Sequence, residues 1–62
     1  MKIYAVEQKY FDKGKIEAKI SSFESSIIPK NHSEEHTNYD YYVDYFDNLK
    51  DAENWKKQAL KA

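Results

Sequence analysis

The chain has 62 residues with no cysteine, one glycine and one proline, and its net charge is −1 although 34% of its residues are charged. That length allows one small domain, residues 1–62, with no room for a deep enclosed active site, and the lack of cysteine excludes disulfides and thiolate zinc clusters and suits a reducing compartment. All ten positive charges are lysine, so the bidentate fork that favours phosphate and guanine recognition is missing and nucleic-acid binding is disfavoured.

In chain order, Lys2–Phe11 reads as a strand through Ile3, Tyr4, Val6, Tyr10 and Phe11. Lys15–Ser21 alternates strictly, with Ile16, Ala18 and Ile20 on one side and Lys15, Glu17 and Lys19 on the other. Between them stands "DKG", whose Gly14 suits the positive-φ position of a three-residue hairpin turn. That turn sets Tyr10 opposite Ile16, Gln8 opposite Ala18 and Val6 opposite Ile20, apolar facing apolar. A two-residue turn would slip every pair by one and set Tyr10 against Glu17.

Residues 24–38, "ESSIIPKNHSEEHTN", predict a long polar loop tacked to the core by Ile27 and Ile28. "YDYYVDYF", residues 39–46, predicts a third strand. Its uncharged set, Tyr39, Tyr41, Val43 and Tyr45, is expected to face the core, and Asp40, Tyr42, Asp44 and Phe46 to face outward. Asp47 or Asn48 then caps a helix, with acids early, lysines late, and an apolar stripe of Leu49, Ala52, Trp55, Ala59 and Leu60. The expected fold is α+β: a three-stranded antiparallel sheet with one C-terminal helix packed on one face, β-β-β-α. Tyr4, Tyr10, Tyr41, Tyr45 and Trp55 are expected to fill the sheet–helix interface, because aromatics bury much area for few residues.

Several patterns could carry chemistry. "HSEEH", His32–His36, matches the H-x-x-E-H spacing of a zinc site. That chemistry needs a helix to align the imidazoles and a further ligand, and this stretch lies in the polar loop, so no metal is expected. No serine has a base and an orienting acid in motif spacing, and the acids from Glu34 to Asp47 lack the glycine turn of a calcium loop. The expectation is therefore a protein without enzymatic activity or cofactor. No apolar run approaches the roughly 18 residues of a membrane span, and Met1–Lys9 lacks the apolar centre of a secretion signal, so a cytoplasmic location without membrane contact is expected.

Charge is segregated along the chain. Residues 31–48 hold Glu34, Glu35, Asp40, Asp44 and Asp47 and no lysine. Exposed tyrosine beside aspartate is a protein-interface composition, whereas a base-stacking platform would be ringed by lysine. Asp40, Tyr42, Asp44, Phe46, Glu34 and Glu35 are therefore the candidate contacts to a protein partner with a basic surface.

The element order, with "YFDNLKDAENWKKQALK" at the last strand and helix, resembles the arm-binding domains of tyrosine recombinases, which place basic residues of the sheet in the DNA major groove. Here the corresponding face is expected to show Glu7, Lys9, Lys15, Glu17, Lys19, Asp40, Tyr42 and Asp44. "MKIYAVEQKYFDKGKIEAKI" together with "YYVDYFDNLKDAENW" resembles small proteins carried by phages and mobile elements of Gram-positive bacteria. That resemblance implies a stand-alone cytosolic protein of a class in which some members block a host or defence protein, as anti-CRISPR proteins do. The reading that follows is a binding module that inhibits a nucleic-acid-handling protein. The alternatives are a small DNA-binding domain using Lys9, Lys15, Lys19 and the helix lysines, and a structural homodimer.

Overall fold

A computed structural model describes residues 1–61. Its elements are β1 (Lys2–Phe11), β2 (Ile16–Glu24), β3 (His32–Glu35), β4 (Tyr39–Phe46) and α1 (Leu49–Lys61). They form one antiparallel sheet in the order β2-β1-β4-β3, with the helix against one face.

The first hairpin follows the expected register: Tyr10 pairs with Ile16, Gln8 with Ala18 and Val6 with Ile20. Phe11 N donates to Lys15 O at 2.8 Å, Gly14 N donates to Phe11 O at 2.9 Å, and Gly14 has φ 90°. A Cβ at Gly14 would meet no atom within 4 Å, so the turn needs glycine for its backbone conformation alone.

The sheet has four strands rather than three. His32–Glu35, expected within the loop, pairs antiparallel with Asp40–Val43 as an edge strand. All four of its residues are exposed and polar or charged. Such a strand carries no apolar alternation, which is why the sequence hides it. Its pairing comes from the backbone edge that β4 offers, and His36 N donates to Tyr39 O at 2.9 Å where the two strands meet.

The helix lies on the other side of β4 from the one expected. Register decides this. Tyr4, Val6, Gln8 and Tyr10 pair with Ile16, Ala18, Ile20 and Ser22 on one side and with Asp40, Tyr42, Asp44 and Phe46 on the other, so all these residues share a face. Trp55 reaches Asp44 and Phe46 from α1, which identifies that face as the one the helix covers. The apolar alternation of β2 holds the helix there. Asp40, Tyr42, Asp44 and Phe46 therefore lie on the helix side, while Tyr39, Tyr41, Val43 and Tyr45 lie on the far face. The far face also carries Glu7, Lys9, Glu17 and Lys19, so the basic-and-acidic surface expected from the sequence is divided between the two sides.

Both faces contribute to the core. On the helix side Val6 is fully buried, and the helix buries its two small residues Ala52 and Ala59. On the far face Ile3, Ala5 and Val43 are buried. There Phe23 meets Tyr45 edge-on at 6.1 Å, and Phe11 meets Tyr39 at 5.2 Å. The aromatic set expected between sheet and helix is thus split. Tyr41 and Tyr45 serve the far side, and Trp55 is 44% exposed at the helix flank.

The helix begins at a reciprocal cap. Asp51 N donates to Asn48 Oδ1 at 2.8 Å, and Asn48 Nδ2 donates back to the Asp51 carboxylate at 2.9 Å. Of the two candidate caps, Asn48 is the one used.

Candidate protein-binding groove

The helix lies over β2 and β1, touches β4 along one flank, and does not reach β3. The part of the helix-side face it leaves uncovered is a shallow groove of about 580 Å³. It is lined by Gln8 and Tyr10 from β1, Asp40, Tyr42 and Asp44 from β4, and Trp55 from α1.

Gln8 organises the floor. It is the one buried polar residue among the described residues, in a β1 alternation that otherwise presents Tyr4, Val6 and Tyr10 to this side. Its Nε2 donates to Asp44 Oδ2 at 2.9 Å and to Val6 O at 3.2 Å, and its Oε1 accepts from the Tyr10 hydroxyl at 3.2 Å. Trp55 Nε1 donates to the same Asp44 oxygen at 2.8 Å. Asp44 thereby ties helix to sheet and fixes the indole at the rim, with its negative charge held by two donors. Burial raises the Tyr10 phenol above its usual pKa, and the nearby Asp44 and Tyr42 push it the same way. Tyr10 therefore stays a neutral donor. Its ring stands edge-on to Tyr42 at 5.6 Å and 78°, a favoured aromatic geometry.

The groove has an acidic end. Glu35 pairs directly with Asp40 across β3 and β4, so two carboxylates project side by side, an arrangement that costs free energy when like charges stand opposite on neighbouring strands. No strand lysine joins them on that side between Tyr4 and Tyr10, in β4 or in β3. Tyr42, at 41% exposed, and Trp55 supply π-faces a few residues away.

Of the residues singled out in the sequence, Asp40, Tyr42 and Asp44 line the groove, and Glu35 extends it beside Asp40. Phe46 packs against Trp55 at 6.1 Å, nearer the start of the helix. Glu34 points the other way, onto the far face, between the two histidines. Its carboxylate oxygens lie 2.7 Å from His32 Nε2 and 3.3 Å from His36 Nε2. The hydrogen bond to His32 is the main influence holding the Glu34 carboxyl below its usual pKa. "HSEEH" is thus extended, not helical, so its histidines do not converge as zinc ligands on one turn. Among the described residues no group of three or more His, Asp or Glu side chains is placed to hold a metal ion.

Sequence reasoning missed the contributions of Gln8, Tyr10 and Trp55. The signal for Gln8 was present: a lone amide inside an apolar alternation marks either a bulge or a buried polar anchor.

No protein-family model, curated protein or solved structure matches the chain. Among the described residues no helix is long and apolar enough to cross a membrane.

Proposed function

We propose that this chain is a non-enzymatic binding module that takes cationic side chains of a basic protein partner into the groove between α1 and β4. The observation that carries this reading is the adjacent Asp40–Glu35 pair beside the exposed rings of Tyr42 and Trp55, on a sheet face where no neighbouring strand lysine offsets it. A lysine or arginine from a partner would relieve the carboxylate repulsion and lie against the aromatic faces, a contact worth about 0.5–1 kcal/mol at exposed sites and more when desolvated. A chain that occupies the basic groove of a nucleic-acid-handling or defence protein in this way acts as its inhibitor, the role suggested by the resemblance to mobile-element proteins.

The DNA-binding reading has less support. Lys15 lies 3.2 Å from Glu17, Lys19 lies 3.3 Å from Glu7, and Lys9 sits over the Tyr39 ring at 5.3 Å, so the sheet lysines already have partners within the chain.

Trp55 is the chain's single tryptophan and lines the groove, so its fluorescence reports occupancy directly. Titration with a short lysine- and arginine-rich peptide is expected to shift Trp55 emission saturably, with affinity that falls as salt rises. Tyr42→Ala should cost more than about 1 kcal/mol of binding if this ring sits at the patch centre. Asp40→Asn combined with Glu35→Gln should mainly slow association at low salt. An unchanged Trp55 signal, or equal binding by the neutralised variant, would sink the proposal.

A further inference from the structure

We propose that β2 is also a self-association edge, pairing antiparallel with β2 of a second copy about a two-fold axis through Ala18. β2 is the outermost strand on its side of the sheet, nine residues long and free of proline, and an uncovered edge of this kind is a template for another strand. The opposite edge, β3, has four residues and carries Glu34 and Glu35.

The backbone selects which residues face out. Phe11 N bonds to Lys15 O, so Phe11 and Lys15 form a hydrogen-bonded pair. Alternation along an antiparallel ladder then turns the N–H and C=O groups of Ile16, Ala18 and Ile20 away from β1, toward the free edge. A second β2 meets those groups when Ala18 faces Ala18 of the partner subunit and Ile16 faces Ile20 of the partner subunit.

The side chains select the same register. It sets Glu17 opposite Lys19 of the partner subunit, and Lys19 opposite Glu17 of the partner subunit, in the non-hydrogen-bonded pairs where side chains approach most closely. A shift that centres the axis on residue 19 would oppose lysine with lysine, and one centred on residue 17 would oppose glutamate with glutamate. Only the Ala18-centred register matches both charges within β2. Lys19 and Glu17 are paired within the chain to Glu7 and Lys15, yet their side chains stay 74% and 50% exposed, so the partner subunit's opposite charges extend these surface pairs across the edge. On the helix side the apolar part of the same edge adds to the contact. Leu60 is half exposed and lines a cleft of about 460 Å³ with Ile16 and Ala18 from the helix side and Glu7, Lys9, Glu17 and Lys19 from the far face. The interface is isologous, as a closed dimer requires.

Sedimentation equilibrium from about 10 µM to about 1 mM should show wild type moving from monomer toward dimer, the range fitting a small interface. Glu17→Lys alone and Lys19→Glu alone should remain monomeric. An equimolar mixture of these two variants should form a heterodimer, because each charge then meets its opposite, and E17K/K19E in one chain should dimerise again. A wild type that stays monomeric throughout, single variants that dimerise like wild type, or a mixture that stays monomeric would each overturn the proposal. Lys19→Glu places a carboxylate beside Glu7, so circular dichroism is recorded alongside. Should that variant unfold, chemically synthesised protein N-methylated at Ala18 decides the matter. It loses one outward donor and none of the β1–β2 bonds, and a dimer that persists in it would equally overturn the proposal.

Discussion

The two hairpins of this sheet are specified in different ways. β1 and β2 carry matched apolar alternation, a glycine at positive φ, and cross-strand charge pairs such as Lys19 with Glu7. β3 and β4 meet through a strand with no apolar residue, and among the described residues none other than Gly14 has positive φ. The first hairpin is written in its own side chains, whereas β3 depends on the backbone edge presented by β4. The difference teaches that in a chain this small a polar segment can be ordered by its neighbour rather than by its own side chains.

The largest test of this contrast removes what the hairpins share. Ile3 is fully buried on β1, the strand that pairs with both β2 and β4. Ile3→Ala should cost about 2–5 kcal/mol, enough to unfold much of a domain whose total stability is small. Denaturant titration checks it, and a loss confined to β2 would show that the hairpins are independent.

The turns separate the hairpins more finely. Gly14→Ala should destabilise by about 1 kcal/mol or more because alanine resists positive φ. Asn38→Ala, in the β3–β4 connection without positive φ, should fall within about 0.5 kcal/mol of wild type. Thermal melts of the two variants compare them directly. Asn48→Ala, which removes the cap that starts the helix after β4, should cost about 1 kcal/mol.

The smallest effect belongs to β3 itself and is visible in pH. The folded state holds Glu34 below the ordinary 4.5 through His32 and His36. A carboxyl with a lowered folded pKa contributes stability that is present above the unfolded pKa and is lost as pH falls through the folded one. Glu34→Gln should therefore flatten a slight decline in melting temperature below about pH 4.5. Native-state hydrogen exchange gives a companion reading, with β3 amides exchanging through cheaper local openings than those of β1.

Much of the fold was legible because it rests on local signals. Gly14 with the alternation at Ile16, Ala18 and Ile20 carries the hairpin register, and Asn48 with Asp51 carries the helix start. β3 was not legible, since His32–Glu35 has no apolar side to alternate. The covered side of β4 is hidden in the sequence for a related reason. Within Tyr39–Phe46 the uncharged set looks like core, yet the pairing of Val6 with both Ile20 and Asp44 assigns the sides, and that is a relation between strands rather than a property of one. Asp40, Tyr42 and Asp44 were legible as a group because strand period alone places them together. Gln8 and Trp55 join them only through the tertiary bonds to Asp44.

The most direct test of the groove as the binding surface is a two-dimensional amide and indole spectrum of the protein titrated with the lysine- and arginine-rich peptide. The account predicts that the Trp55 Nε1–H resonance and the Glu35, Asp40 and Tyr42 amides move together and saturate together, while Lys9, Glu17 and Lys19 stay in place. Shifts centred on the far face, or no shift at Trp55 at saturating peptide, would contradict it.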